Sequence, residues 1–194
     1  MNRFSFFHAP VSNVTPCAAV GLEAVCDLIR SDSYRPATEE LRRLRAAMKE
    51  GRATQRDVQR FKARCFDYVT FSGLFSRRSA REMKEHSGLL CLDFDHVDTW
   101  QGAGRLCGVY GLRYVLLEDA AVDTALLFRS PGGDGLKWVV PIDLRQGTHD
   151  EWFRALSFYA GRTYGIEPDP SGCDVARACY LPWDPDAVIK IVEN

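Results

Sequence analysis

Apolar positions recur along this chain with two periods, and the switches between them predict its elements. Asn2 to His8 is rich in aromatics and reads as a short strand. Thr15-Pro16 and Gly21 mark turns, and from Leu22 to Ile29 the apolar residues Leu22, Val25, Cys26, Leu28 and Ile29 take helical spacing. A second helix is expected from a cap at Thr38 through Lys49, ended by Gly51. A third runs from Thr54 through Arg64, with Val58 and Phe61 turned inward. Tyr68 to Phe75 is strand-like, and Leu89 to Leu92 is an apolar run that ends in Asp93-Phe94-Asp95, which predicts a buried strand. After Trp100 the apolar residues fall partly at three- and four-residue spacing. The first part of that region is expected to be helical, while Tyr114 to Leu117 is compatible with a strand. Thr124 to Arg129 and Val139 to Asp143 read as strands joined through Ser130-Pro-Gly-Gly-Asp-Gly-Leu-Lys-Trp138, a glycine-turned hairpin. Thr148 to Glu151 has the form of a capping box opening a helix to Tyr164, stopped by Gly165. Short strands at Ala178 to Leu181 and Val188 to Val192 complete the pattern.

A chain of 194 residues is expected to form one domain over 1–194. Its first part, 1–85, carries helices and strands, and a sheet part, 86–194, carries the motifs. No apolar run approaches the roughly 18 residues of a membrane span, and the amino terminus lacks the apolar region of a signal peptide. Seven scattered cysteines, none in a Cys-x-x-Cys, fit reduced thiols in a cytoplasmic setting. Cys91, His86 and His96 match no common zinc spacing. The net charge of −1 conceals an asymmetry, with a balance of +7 over residues 1–84 and −8 over residues 85–194. A basic half beside an acidic half suits a polyanion-binding surface next to a metal-binding one.

The chemistry concentrates in four places. Asp93 and Asp95 share one face of their strand, about 6.6 to 6.8 Å apart along it. Two such carboxylates near a buried strand end call for a divalent cation, Mg²⁺ or Mn²⁺ given oxygen-only ligands; a solvated strand end is the alternative. Ser130 and Lys137 flank the glycine turn, where backbone N–H groups and an ammonium suit an anion, against a plain hairpin. The arginines form a further group: Arg42 and Arg45 on the second helix, Arg56 and Arg60 one turn apart on the third, and Arg77 and Arg78 beside a Ser/Gly turn. They suit a phosphate backbone, against ordinary solvated surface. Asp174 and Arg177 lie in an acidic, turn-rich segment.

Leu-Asp-Phe-Asp-His at 92–96, Ser-Pro-Gly-Gly-Asp-Gly-Leu-Lys at 130–137, and Asp-Val-Ala-Arg followed by Leu-Pro-Trp-Asp-Pro at 174–185 occur in this order. Together with Thr70 to Phe75 and His86-Ser-Gly88, they make the chain resemble the VirE amino-terminal domain family. That family is grouped with the archaeo-eukaryotic primase, or primase-polymerase, superfamily. The resemblance covers roughly residues 3–186. It implies an α+β, primase-polymerase-like fold: a mixed or antiparallel RRM-like sheet packed with helices, beside a helix-bearing N-terminal unit. It implies Asp93, Asp95 and Asp174 as catalytic metal ligands for Mg²⁺ or Mn²⁺, and Ser130, Gly133, Gly135, Lys137 and Arg177 as nucleotide-binding residues. Lys137 stands where many primase-polymerases carry a histidine; it retains the charge to hold a phosphate.

The implied activity is template-directed nucleotidyl transfer from nucleoside triphosphates on single-stranded DNA or RNA, in replication of mobile or phage-like elements. Arg42, Arg45, Arg56, Arg60, Arg77 and Arg78 would meet the nucleic acid. One alternative is a non-catalytic nucleotide- or nucleic-acid-binding module serving a helicase; another is a metal-dependent nuclease. No membrane partner is expected.

Overall fold

Two four-stranded antiparallel sheets face each other across a shared core. The computed structural model describes residues 2–190. The first sheet has the order β2 (Ala18–Val20), β1 (Phe4–Phe7), β3 (Tyr68–Thr70) and β9 (Cys179–Tyr180). The second has the order β10 (Val188–Ile189), β7 (Leu126–Arg129), β8 (Leu136–Pro141) and β6 (Leu89–Phe94). A separate ribbon pairs β4 (Gly73–Phe75) with β5 (Met83–His86). Five helices complete an α+β fold: α1 (Leu22–Arg30), α2 (Arg35–Lys49), α3 (Gln55–Cys65), α4 (Gly108–Leu117) and α5 (His149–Tyr164).

Strand alternation divides the core. Leu90, Leu92 and Phe94 of β6, with Leu127, Trp138 and Val140, face α4 and α5 and pack on Leu112, Leu116, Phe153 and Leu156. Leu89, Leu126, Phe128 and Val139 face the first sheet and pack on Phe4, Phe6, Val69 and Phe71. Asp93 shares the second set's face, so a carboxylate enters the gap between the sheets. The α2–α3 pair closes on a smaller cluster of Leu41, Val58 and Phe66. Because β9 comes from the C-terminal part yet pairs with β3, the parts 1–85 and 86–194 interlock through a shared sheet.

Several helix ends follow their expected chemistry. Thr54 caps α3 reciprocally with Asp57, and Thr148 caps α5 reciprocally with Glu151; such caps contribute about 1 kcal/mol each. Gly165 ends α5 with φ 68°. Other expectations are corrected. Thr38 is not a cap: α2 begins at Arg35, with Pro36 in its first turn. Thr38 is buried inside the helix, where its Oγ1 accepts a hydrogen bond from the Trp183 N–H at 2.8 Å. Tyr114 to Leu117 continues α4 rather than forming a strand. Tyr68 to Phe75 breaks into β3 and β4, which pair with different neighbours. The glycine hairpin reaches β8 earlier than expected, at Leu136. Of the last expected strand, Ile191 and Val192 lie outside the described residues. Among the described residues no helix is long and apolar enough to cross a membrane, and all seven cysteines are free thiols.

Candidate active site

The β6–β8 register sets Asp93 directly opposite Lys137. Both side chains point into the gap between the sheets, where the Lys137 ammonium forms an ion pair with Asp93 Oδ2. Lys137 is 7% exposed and Asp93 14%. Burial pushes the Lys137 ammonium below its ordinary pKa, and the neighbouring Cys179 and Cys91 only partly oppose that. The second oxygen of Asp93, Oδ1, is buried without a hydrogen-bond partner. Leaving such an oxygen unsatisfied costs on the order of 1–3 kcal/mol, and a cation would relieve that cost.

Two more carboxylates reach the same point. Asp95 lies just past the end of β6 and is exposed. Asp169 is docked through its backbone, its N–H donating to the Asp93 carbonyl at 2.7 Å. Carboxylate oxygens of Asp93, Asp95 and Asp169 lie within 4.8 Å of one another. Asp169 also caps a 3₁₀ turn, Pro170–Cys173, with Oδ1 accepting from the Ser171 N–H at 2.9 Å. Its Oδ2 accepts from Arg177 Nη2 at 3.0 Å. Burial pushes its carboxyl up, but the Ser171 hydrogen bonds and the charges of Arg177 and Lys137 prevail and hold it below the usual range. An all-oxygen donor set with one unsatisfied buried oxygen fits Mg²⁺ or Mn²⁺.

A cavity of about 290 Å³ opens beside these carboxylates, and four cations line it: Lys62, Arg78, Lys137 and Arg177. The Arg78 guanidinium lies 5.3 Å from the centre of the Tyr68 ring. It donates to the Tyr68 hydroxyl at 3.1 Å and the Val11 carbonyl at 3.0 Å. Lys62 stands 5.2 Å from the Tyr180 ring centre; burial pushes its ammonium down and Asp95 opposes that. A smaller recess of about 30 Å³, room for roughly one or two waters, adjoins it. Cys91, Cys179, His149 and Gly172 line that recess with Asp93 and Lys137.

The expected site residues divide. Asp93 and Asp95 converge as the strand period requires. Asp174 lines the cavity, but Asp169 takes the third place in the carboxylate cluster, because the Asp169 backbone is bonded to the end of β6. Asp174 Oδ1 accepts instead from the Ala176 N–H at 2.9 Å. Lys137 and Arg177 face the cluster. Ser130, Gly133 and Gly135 are not among the residues lining the cavity; they build the hairpin turn. Ser130 Oγ accepts from the Gly135 N–H at 3.2 Å, Gly133 has φ 86°, and a Cβ on Gly135 would sit 2.5 Å from the Phe94 carbonyl oxygen. That turn rests on α2, where Arg45 pairs with Asp134 and Arg42 lies half-buried against Gly133. Arg42 and Arg45 are therefore committed to the hairpin rather than to an open basic face. Arg56, Arg60 and Arg77 are exposed, and Arg78 enters the cavity wall. Asp169 carried a sequence signal, an Asp-Pro turn start; nothing local in the sequence marks Lys62 as a cavity residue.

Residues 60–188 match the family model described as BT4734-like, N-terminal domain. No curated protein and no solved structure matches the chain.

Proposed function

The chain belongs to the BT4734-like N-terminal domain family, and we propose that it is a metal-dependent nucleotidyltransferase of the primase-polymerase type, joining nucleoside triphosphates on a nucleic-acid template. The observation that carries this reading is the convergence of three carboxylates within 4.8 Å, at the edge of a cavity walled by four cations. Carboxylates alone would suit many hydrolases; the cations beside them suit a polyphosphate.

In this reading Asp93, Asp95 and Asp169 hold Mg²⁺ or Mn²⁺, which when bound stabilises charge on the attacking and leaving oxygens. Arg177, Arg78 and Lys62 neutralise and orient the triphosphate, so that the chain contributes positioning and electrostatics. Lys137 holds the Asp93 carboxylate in place through their ion pair. Arg56, Arg60 and Arg77 are free to meet a single-stranded DNA or RNA template. The α+β architecture, with an antiparallel sheet bearing the acidic strand, is compatible with the primase-polymerase fold. The setting we propose is cytoplasmic replication of mobile or phage-like elements, with a helicase in the same protein or in trans.

The test is nucleotide incorporation on a primed single strand with Mn²⁺ or Mg²⁺. Asp93→Ala is expected to reduce incorporation to background while near-ultraviolet circular dichroism stays native. Undiminished synthesis by that variant would remove Asp93 from the chemistry. One observation favours a second reading, a nucleotide- or nucleic-acid-binding module without catalysis: the Lys137 ion pair already neutralises Asp93. Tight triphosphate or single-strand binding by the native protein, without incorporation under either metal, would select that reading.

A further inference from the structure

We infer that His86 and His149 form a positioning relay for Asp169, fixing the third carboxylate of the cluster from outside the site. The inference rests on the metal-binding reading above.

Two backbone groups, each with only one possible role, set the direction of the relay. The Gly88 N–H donates to His86 Nδ1 at 3.0 Å, so that nitrogen is the acceptor and the proton of His86 sits on Nε2. His86 Nε2 lies 3.1 Å from His149 Nδ1 and donates to it. His149 then carries its proton on Nε2, 3.3 Å from the Gly172 carbonyl oxygen, which can only accept. Each hydrogen bond requires the next, and both rings must be neutral. Burial favours that state: it pushes both imidazoles below their ordinary pKa, His86 to about 4.

The relay ends on the turn that presents Asp169. The Gly172 N–H donates to the Asp169 carbonyl at 3.0 Å, and Gly172 is packed so closely that a Cβ there would lie 2.7 Å from the Phe153 ring and 3.3 Å from the Cys91 carbonyl oxygen. The turn is thus held at Asp169 by the end of β6, at Gly172 by β6 and α5, and at its carbonyl by His149. An apolar pair would fill the same volume at no desolvation cost. What two imidazoles add is a directed hydrogen bond that fixes the turn, and with it the carboxylate. Partners one shell out from a metal commonly change its affinity 10- to 100-fold.

The experiment titrates Mn²⁺ into the native protein, His149→Ala, His149→Gln and His86→Ala, following free Mn²⁺ by electron paramagnetic resonance. His149→Ala is expected to weaken binding about tenfold or more. His149→Gln, whose amide N–H can still reach the Gly172 carbonyl, is expected to recover most of the loss. His86→Ala frees His149 to take the other tautomer and is expected to fall between. If His149→Ala loses its native near-ultraviolet circular dichroism, His86→Ala carries the test. Native Mn²⁺ affinity in folded His149→Ala or folded His86→Ala, whatever its melting temperature, overturns the relay. Absence of Mn²⁺ binding by the native protein overturns the metal reading itself and the relay with it.

Discussion

Asp93 and Lys137 stand directly opposite each other on β6 and β8, their charges joined in the gap between the two sheets. Each makes the other's burial tolerable. Removing one partner of such a pair strands the other, at a cost of about 3–5 kcal/mol. We expect Lys137→Met to destabilise the protein by roughly 3 kcal/mol in urea unfolding. The double variant Asp93→Leu, Lys137→Met is expected to recover much of that loss, because nothing charged is then left in the gap. A single variant as stable as the native protein would show that the pair is not desolvated.

Acid should weaken the fold through the imidazole pair. His86 has its pKa lowered to about 4, and that of His149 is also lowered, whereas unfolded histidine titrates near 6.5. The unfolded chain therefore binds more protons than the folded one between about pH 6.5 and pH 4. The contribution of the two imidazoles is fully present above the unfolded pKa and is lost as the pH falls through that window. Urea midpoints across pH 4 to 7.5 measure this. His86→Leu should flatten the profile, and an unchanged slope in that variant would assign the acid loss to other groups.

Arg78 and Arg77 are chain neighbours in opposite settings. Arg78 lines the cation-walled cavity and is tied to Tyr68 and Val11; Arg77 is exposed. In nucleoside triphosphate binding measured by fluorescence titration, Arg78→Ala is expected to weaken affinity by about tenfold, equivalent to the roughly 1.4 kcal/mol of one charge-assisted contact. Arg77→Ala should leave it within a factor of two or so, as for a surface charge. Equal effects would place the triphosphate elsewhere.

The acidic strand was the most legible feature of the sequence, because alternation needs only local information: Leu90, Leu92 and Phe94 go to the helices, and Asp93 goes to the gap. Thr54, Thr148 and Gly165 announced helix ends for the same reason. Thr38 misled because its hydroxyl serves a distant partner, the Trp183 N–H, and no local pattern records that. Asp174 is the expected third carboxylate, whereas Asp169 is the one in the cluster; the two flank one short turn. What separates them is a hydrogen bond from Asp169 to the end of β6, a tertiary fact. Ser130, Gly133 and Gly135 carried an anion-binding pattern, yet their polar groups close the turn on itself. The strands β2 and β5 were missed because they are short and largely unburied, leaving little apolar alternation to read.

The pairing of β3 with β9 also governs when a newly made chain can assemble its carboxylate cluster. Tyr68 waits for Tyr180, more than a hundred residues later, which at about 5–20 residues per second is some 5 to 20 seconds of synthesis. Until then the outer edge of β3 presents unpaired backbone groups, the kind of edge that recruits stray strands. Asp169 and Arg177 emerge in the same late interval, so no nascent fragment ending before them can assemble the carboxylate cluster or its cationic wall. The chain thus completes its carboxylate cluster and covers the open edge of β3 in the same interval of synthesis.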